Sequence, residues 1–249
     1  MISHTSTTAR AREVPRIVVG RSDAMQRVER EAILAARGNA NVLITGEPGV
    51  GKSAIARFIH ERSDRSAQGF AIIKCEGLPD LLVESELFGH LRGSFVGAYR
   101  DKPGLVESVP GGTIFLDEVG ALSAKMQIRL LRFLETGDYQ RIGDARVRIQ
   151  ARDVRWMAST SVNLPTRVDA GLFLNDLHDR LNGVGLSVPP LRERRDDIPT
   201  LVEHFAAECG GLPEISAAVR DALCRADWPG NVRELKSAVL RQLLSGVSL

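Results

Sequence analysis

The chain has 249 residues, of which 43% are apolar, a size and composition that suit one large α/β domain with a smaller domain appended. Its 33 Lys and Arg residues nearly balance 31 Asp and Glu residues, so the net charge of +2 gives no reason to expect a nucleic-acid or membrane partner. The cysteines, Cys75, Cys209 and Cys224, are widely spaced and odd in number, which predicts free thiols rather than a disulfide framework.

The first residues carry little information on the fold. Residues 1–16 are rich in Ser, Thr and Arg, a composition found in frayed tails and also in organelle transit peptides. We predict a disordered tail here. No stretch approaches the ~20 apolar residues of a membrane span, and the N-terminus lacks the apolar core of a signal peptide. We therefore expect a cytoplasmic protein without a membrane partner.

Helices and strands are predicted to alternate after the tail. Apolar residues recur at helical spacing from Asp23 to Ala36, and the apolar run Asn41–Thr45 predicts a short buried strand. A helix is predicted from Lys52 to His60, and an apolar stripe from Met126 to Leu134 predicts an amphipathic helix. Further strands are predicted at Phe70–Cys75, Thr113–Leu116 and Val154–Ala158.

This alternation predicts the fold class and the domains. Strands that alternate with helices favour an α/β three-layer sandwich, with a mostly parallel sheet covered by helices on both faces. From Ile198 onward the pattern is helical throughout, which predicts a small all-helical lid domain. The predicted division is a tail over residues 1–16, an α/β core over 17–188 and a helical lid over 189–249.

The clearest functional motif follows the first predicted strand. It matches G-x-x-x-x-G-K-[ST] throughout and lies between a strand and a helix, as a phosphate-binding loop requires. Backbone amides of such a loop converge on phosphates, while Lys52 reaches the β and γ oxygens and the Ser53 hydroxyl binds Mg²⁺. The motif predicts that ATP and Mg²⁺ are bound by Gly46, Glu47, Pro48, Gly49, Val50, Gly51, Lys52 and Ser53.

Two carboxylates follow the predicted strand Thr113–Leu116. Asp117 is placed to complete the Mg²⁺ shell with Ser53, and Glu118 is placed to polarise the attacking water. Paired carboxylates at a strand end are also found as helix N-caps. Because a phosphate-binding loop is present, we predict hydrolysis rather than binding alone, with Lys52, Asp117 and Glu118 as catalytic residues.

Several other segments occur in the order of one known family. They are Glu84-Ser85-Glu86-Leu87-Phe88-Gly89, Gly93-Ser94-Phe95-Val96-Gly97-Ala98, Asp179-Arg180-Leu181-Asn182, Pro189-Pro190-Leu191-Arg192-Glu193-Arg194 and Trp228-Pro229-Gly230-Asn231-Val232-Arg233-Glu234-Leu235. From about Ile17 to Leu244, the chain resembles the P-loop AAA+ ATPase domain of bacterial enhancer-binding proteins, which activate sigma-54 RNA polymerase. Within that family it looks most similar to short members that regulate type III secretion or phage-shock genes.

The resemblance implies a homo- or hetero-hexameric ring with its ATP sites between subunits. Arg180 matches the family's arginine finger, which reaches the γ-phosphate from the next subunit and is therefore a further expected catalytic residue. Thr160 matches the first nucleotide sensor, and Arg233 matches the second, which reaches the nucleotide from the lid. Asn231 and Glu234 predict a capping pair that fixes the start of the helix carrying Arg233.

The glycine-flanked loop matches the segment with which the family contacts the sigma-54 RNA polymerase holoenzyme. Phe95 lies between two glycines and is either a mobile contact tip or the packed residue of a hairpin turn. The predicted contact residues are Gly93, Ser94, Phe95, Val96, Gly97 and Ala98.

Some positions depart from the family pattern. Ser94 and Val96 replace the alanine and threonine of the loop, so the hydroxyl that faces the sigma factor is missing. Lys74 stands where the family has an asparagine that couples the catalytic glutamate to the nucleotide, and a lysine there can form an ion pair with Glu118. The first sensor's usual asparagine and a second arginine are replaced by Ser161 and Leu174.

These features leave three functions open. The first is an ATP-hydrolysing activator that remodels sigma-54 polymerase, and the second is a degenerate ATP-binding subunit that needs a partner chain. The third is a transcription regulator that acts independently of sigma-54. The sequence ends about a helix beyond Arg233, which leaves no room for a helix-turn-helix domain. Either the chain is truncated before such a domain, or it reaches DNA only indirectly.

Overall fold

The computed structural model describes residues 20–144, 149–150, 153–208 and 216–245. The predicted tail over residues 1–16 and the thiol of Cys209 lie outside these ranges. Of the other two cysteines, Cys75 is buried and Cys224 is partly buried, and both are free thiols as predicted. Burial, together with the negative charges of Asp117 and Glu118, raises the pKa of the Cys75 thiol to about 12.

The strands alternate with helices as the sequence predicts. In chain order the strands are β1 (Val42–Thr45), β2 (Phe70–Lys74), β3 (Gly89–His90), β4 (Lys102–Pro103), β5 (Thr113–Asp117), β6 (Asp138–Tyr139), β7 (Ile149–Gln150), β8 (Arg155–Thr160) and β9 (Val184–Ser187). The helices are α1 (Asp23–Ala36), α2 (Lys52–Glu61), α3 (Asp80–Phe88), α4 (Leu105–Ser108), α5 (Ala124–Thr136), α6 (Leu164–Asp169), α7 (Asn175–Leu181), α8 (Ile198–Glu208), α9 (Ala217–Arg225) and α10 (Asn231–Ser245). Short 3₁₀ helices occur at Val119–Ala121, Leu191–Glu193 and Arg195–Asp197.

A five-stranded parallel sheet forms the centre, with strand order β2-β5-β8-β1-β9. The strands are parallel, so their carboxyl ends meet at one edge of the sheet. The loop after β1, the carboxylates that end β5 and the residues that follow β8 are therefore neighbours, although they are far apart in the sequence. This edge carries the candidate site.

Alternating side chains bury both faces of the sheet. On β1, Leu43 packs into one apolar cluster while Val42 and Ile44 pack into the other. On β5, Leu116 and Phe115 divide in the same way. One cluster includes residues of α3, α5 and α7, and the other includes residues of α1 and α2. This arrangement confirms the predicted α/β sandwich, because only a sheet covered on both faces needs apolar side chains on both sides.

Helix ends follow local sequence signals. The Ser22 hydroxyl accepts a hydrogen bond from the amide of Met25 at the start of α1, and Ser123 does the same for Met126 at the start of α5. Gly137 ends α5 in the left-handed conformation, with φ of 73°. These caps explain why the predicted bounds of α1 agree with the observed ones.

The C-terminal helices enclose an apolar cluster of their own. It contains buried residues from Leu191 to Leu243, which come from the first 3₁₀ helix after β9 and from α8, α9 and α10. A small helical unit thus packs beside the sheet, although the division between residues 188 and 189 remains a prediction. Within the described residues, no helix is long and apolar enough to cross a membrane.

Candidate functional site

The predicted phosphate-binding loop connects β1 to α2. Gly46 and Gly49 have φ of 149° and 80°, conformations that glycine adopts without strain. A Cβ atom would lie 2.6 Å from the carbonyl oxygen of Val188 at Gly46, and 2.3 Å from that of Gly230 at Gly49. The loop is thus pressed between the segment after β9 and the start of the last helix, and both glycines are required there.

Lys52 opens α2 with its ammonium group held inside the site. Its Nζ donates to the carbonyl oxygens of Gly46 at 2.8 Å and Glu47 at 3.3 Å, and it forms an ion pair with Glu118 at 2.8 Å. The lysine side chain is only 5% exposed, so these partners satisfy a charge that has little water around it. The phosphate-binding loop and the predicted catalytic carboxylate are therefore in direct contact.

Glu118 is held in a strained backbone conformation. Its φ of 59° and ψ of 53° are left-handed, which is uncommon for a residue with a side chain. One carboxylate oxygen contacts Lys52, and the other accepts from the amide of Ser161 at 2.7 Å and from its hydroxyl at 2.8 Å. Burial alone would raise the pKa of Glu118, but hydrogen bonds from Lys52 and Ser161 outweigh burial and lower it. The carboxylate is therefore ionised at neutral pH.

Asp117 ends β5 beside it. Its carboxylate accepts from the Ser159 hydroxyl at 2.6 Å, and Ser159 also accepts from the amide of Glu118 at 3.1 Å. Asp117 and Ser53 line the same cavity. One carboxylate and one hydroxyl suit Mg²⁺, which is usually bound through few protein groups together with nucleotide phosphates.

Thr160, the residue predicted as the first sensor, ends β8. The Thr160 side chain is buried, and its hydroxyl lies 3.3 Å from the backbone oxygen and nitrogen of Val162. The next residue, Ser161, lines the cavity and holds Glu118. The structure thus places Ser161, and not Thr160, on the cavity wall, because β8 turns its last side chain inward; the assignment of Thr160 to the nucleotide stays a prediction.

These groups surround a cavity of about 650 Å³. It is lined by Pro48, Gly49, Gly51, Lys52, Ser53, Ala54, Lys74, Glu76, Asp117, Glu118, Ser161, Phe205, Val232, Arg233 and Lys236. A smaller cavity of about 130 Å³, with largely apolar walls, adjoins it and shares the walls formed by Gly51, Ala54, Phe205 and Val232. Charged groups at one end and apolar walls at the other suit a nucleotide, whose phosphates and base need these two environments.

Lys74 does not pair with Glu118. It lines the cavity from β2, opposite Asp117 in the sheet register, whereas the ion-pair partner of Glu118 is Lys52. The expectation of a Lys74–Glu118 ion pair is therefore wrong for this structure. Lys52 starts α2 and is held by the loop carbonyls beside the Glu118 carboxylate, so it takes the ion-pair position expected for Lys74.

Arg233 lies at the cavity as predicted, but its helix begins differently. Glu234 accepts from the amide of Gly230 at 2.8 Å, which supplies one half of a capping pair. Asn231 does not cap α10: its side-chain oxygen accepts from the amide of Leu191 at 2.8 Å, and its amide group donates to Glu47 at 3.1 Å. Asn231 is fully buried with φ of 55° and joins the lid to the phosphate loop.

Two predicted elements lie apart from this cavity. Arg180 is about half exposed on α7 and lies 3.8 Å from Glu135, so it does not line the cavity of its own chain. Leu174, where the family has a second arginine, packs against the apolar cluster on one face of the sheet.

The glycine-flanked loop forms a tight turn between β3 and β4. The amide of Gly93 donates to the carbonyl of Ala98 at 2.8 Å, and Gly97 has φ of 104°. Phe95 packs edge-on against His90, with 4.9 Å between ring centroids, so it is the packed residue of the turn. The exposed tip is Val96, which is entirely accessible. The hypothesis that Phe95 forms the tip is therefore wrong for this structure.

Comparison with known proteins decides the family. Residues 18–187 match the sigma-54 interaction domain, and residues 192–246 match the AAA+ ATPase lid domain. The chain belongs to the sigma-54 interaction domain family. This confirms the resemblance to sigma-54-dependent transcriptional activators, and the domain is an AAA+ ATPase as predicted.

Among the relatives of this sigma-54 interaction domain are transcription regulators. The anaerobic nitric oxide reductase transcription regulator NorR of Serratia proteamaculans is 42% identical over 229 residues, which are 90% of this chain and 45% of NorR. NorR of Escherichia coli O1:K1 / APEC is 43% identical over 233 residues, 91% of this chain and 46% of NorR. The chain thus spans about half the length of the curated relatives that it matches. The narrower likeness to type III secretion or phage-shock regulators stays an untested prediction.

Solved structures support the same fold. NtrX from Brucella abortus in complex with ATP is 34% identical, with a TM-score of 0.82 over 92% of this chain and 53% of NtrX. A RuvB mutant from Thermotoga maritima is 15% identical, with a TM-score of 0.61 over 90% of this chain and 62% of RuvB, and shows likeness of fold alone.

Sequence reasoning missed part of the site. Ser161, Asn231 and Arg192 contact its catalytic or phosphate-binding groups, yet the sequence indicates none of these contacts. The Pro189–Arg194 segment was recognised only as a family marker. Ser161 was recognised only as the residue at the first sensor's asparagine position, and a polar residue directly after a strand that ends at the site edge is the signal that could have indicated its contact with Glu118.

Proposed function

We propose that this domain hydrolyses ATP in the cavity between the sheet edge and the lid, and that this work opens promoters bound by sigma-54 RNA polymerase. The observation that carries the proposal is the contact of Glu118 with both Lys52 and Ser161. Lys52 lies at the end of the phosphate-binding loop, and Glu118 follows Asp117 at the sheet edge. NtrX, which has the same fold, has been crystallised with ATP and with ADP.

The roles of this chain's residues follow from their contacts. Glu118 is ionised and oriented by two hydrogen bonds from Ser161, so its carboxylate can accept a proton from an attacking water. The Lys52 ammonium group donates to loop carbonyls here, and it would exchange them for phosphate oxygens when a nucleotide is bound. Asp117 and Ser53 would hold Mg²⁺, which supplies charge neutralisation to the phosphates when bound.

Arg180 is proposed to complete the site of a neighbouring subunit. Its guanidinium is about half exposed on α7, and Glu135, its ion-pair partner among the described residues, is equally exposed. Such a pair contributes little and can be exchanged for a better partner. An arginine held at the surface in this way can contact the phosphate of a nucleotide bound by an adjacent chain. We therefore propose that the chains assemble into a ring, a hexamer of one or two kinds of subunit.

The turn at Gly93–Ala98 is proposed to contact the sigma factor. Val96 at its tip and Tyr99 beside it are both highly exposed, although apolar side chains are usually withdrawn from water. Because its target is the polymerase, we place the protein in the cytoplasm, with DNA reached only through that complex.

ATP hydrolysis measured against protein concentration tests the enzymatic part. We expect turnover per chain to rise with concentration, because each site needs a neighbour, and to collapse in Glu118→Gln and Arg180→Ala. Arg220→Ala is a matched control, since Arg220 has the same exposure and a similar ion pair with Glu203 at 3.6 Å. Tight ATP binding without turnover would instead indicate a nucleotide-gated subunit that depends on a partner chain.

Binding of purified sigma-54 tests the target. In the presence of a non-hydrolysable ATP analogue, we expect Val96→Glu to abolish binding of sigma-54. In a separate assay with ATP, we expect the same variant to keep its hydrolysis. Leu172→Glu is the control, because Leu172 is also an exposed apolar residue but lies away from the turn. If wild-type protein does not bind sigma-54 although it hydrolyses ATP, a sigma-54-independent target is indicated.

A further inference from the structure

The lid side of the molecule holds the phosphate loop by its one acidic side chain. Arg192 donates two parallel hydrogen bonds to the Glu47 carboxylate, at 2.8 and 2.6 Å. Asn231 donates a third at 3.1 Å. These bonds, the first from Arg192, lower the pKa of Glu47 to about 2. Glu47 therefore stays charged and paired at every physiological pH.

The same side of the molecule also holds the loop backbone. Asn231 donates to the carbonyl of Pro48 at 3.1 Å, and Arg194 donates to the carbonyl of Val50 at 2.8 Å. The amide of Arg233 donates to the carbonyl of Gly49 at 3.2 Å. Each residue from Glu47 to Val50 is thus bonded from the segment between β9 and the first turn of α10.

Asn231 is the centre of this arrangement. It is fully buried in a left-handed conformation, and its oxygen accepts from the amide of Leu191 while its nitrogen serves the phosphate loop. One side chain therefore joins the 3₁₀ helix Leu191–Glu193, the phosphate loop and the start of α10. Burial of an amide is costly unless its donors and acceptors are satisfied, so this residue is held in a single orientation.

These bonds have a consequence for phosphate binding. A peptide unit is planar, so the carbonyl of one residue and the amide of the next point in opposite directions within one plane. Bonds to the carbonyls of Pro48 and Val50 therefore fix the directions of the amides of Gly49 and Gly51. In a loop of this type the amides are the groups that cradle phosphates.

We propose that Arg192, Asn231 and Arg194 are positioning residues for nucleotide phosphates, which set the amide directions of the phosphate loop from the lid side. A lid that shifts relative to the sheet then changes the affinity for ATP through these bonds. The inference rests on the proposed ATP site, and it assigns part of the phosphate affinity to residues that do not line the cavity formed by Lys52, Asp117 and Glu118.

The first test is a cycle of neutral substitutions at the exposed pair. Arg192→Gln, Glu47→Gln and the double variant are titrated with the fluorescent analogue mant-ATP in the presence of Mg²⁺. An exposed pair with two parallel bonds accounts for at most about 5-fold in affinity. We expect each single variant to bind about 5-fold more weakly and the double variant to bind no more weakly than either, because one interaction is lost in all three.

Steady-state kinetics separate positioning from general damage. We expect KM for ATP to rise by the same factor while kcat stays within about 2-fold, because the chemical groups Lys52, Asp117 and Glu118 keep their contacts. Arg195→Gln is the matched control: Arg195 is a neighbouring arginine, paired with Asp227 and not with the phosphate loop, and its loss should leave mant-ATP affinity unchanged.

Asn231→Asp gives the sharper perturbation. Aspartate keeps the size, the tolerance of positive φ and the acceptor for Leu191, but it replaces the donor that faces Glu47 and Pro48 by an oxygen. We expect more than 10-fold loss of mant-ATP affinity in protein that still melts cooperatively. If this variant does not fold, the Arg192 and Glu47 cycle decides alone.

The proposal is overturned if the three variants at the exposed pair bind mant-ATP like wild type, or if their losses multiply in the double variant. It is also overturned if kcat falls while KM stays constant. Failure of the ATP site itself would look different, because wild-type protein would then not bind mant-ATP.

Discussion

Asp197 offers a direct test of what attaches the start of the described chain to the lid. Its side chain is fully buried at the end of the 3₁₀ helix that precedes α8, and its carboxylate accepts from the amides of Arg21 at 2.5 Å and Ser22 at 2.7 Å. The Ser22 hydroxyl donates a further bond at 2.8 Å. The negative charge also supports the buried Arg194 guanidinium, whose pKa is lowered by burial and raised again by Asp197. Substitution by alanine removes all of these interactions.

The expected loss can be worked from these contacts. A hydrogen bond to a charged group contributes about 1.5–3 kcal/mol when it is removed in a buried place. The amides at Arg21 and Ser22 lie near the surface and regain water, so we take about 1 kcal/mol for each bond, below that range. Asp197→Ala should then reduce the free energy of unfolding by about 3 kcal/mol, equivalent to a fall in Tm of roughly 6–12 °C for a chain of this size.

Urea unfolding followed by tryptophan fluorescence measures this loss. The chain's two tryptophans report on different places, since Trp156 packs in the sheet core and Trp228 packs with the lid helices. Asp196→Ala is the control, because Asp196 is the exposed neighbour and should change stability by no more than about 0.5 kcal/mol. A loss below about 1 kcal/mol in Asp197→Ala would show that the carboxylate bonds do not carry the assigned energy.

Three further predictions concern the loop, the sheet and the carboxylate. The Tm difference between wild type and Glu47→Gln should be constant above about pH 5 and vanish toward pH 2. The lowered pKa of Glu47 stabilises the folded state, and this stabilisation is lost as the pH falls through the folded pKa of about 2. A Tm difference that grows on acidification contradicts this. Gly104→Ala should cost about 2 kcal/mol or more in a melting experiment, since its Cβ would lie 2.3 Å from the rigid backbone oxygen of Leu87, and an unchanged Tm refutes the clash. Ser161→Ala removes one of two bonds to an oxygen of Glu118, so kcat should fall by up to about 10-fold at constant mant-ATP affinity; a loss of affinity instead would assign Ser161 to binding.

The sequence determined the parts of the protein that depend on local pattern. The spacing of apolar residues fixed α1 from Asp23 to Ala36, and the motif that ends at Ser53 fixed the loop between β1 and α2. Asp117 and Glu118 were found because they directly follow an apolar run. In each case the residues that decide the structure are neighbours in the chain, so backbone preference and burial pattern act within one segment.

Only the tertiary structure decided which groups face each other. Arg192 and Glu47 are separated by 145 positions, and Asn231 and Glu47 by 184, so no local pattern records their bonds. The choice between Thr160 and Ser161 depends on a single step at the end of β8, where consecutive side chains point to opposite faces. The sequence left Phe95 open as the contact tip or the packed residue of its turn, and only its contact with His90 decides for the packed position.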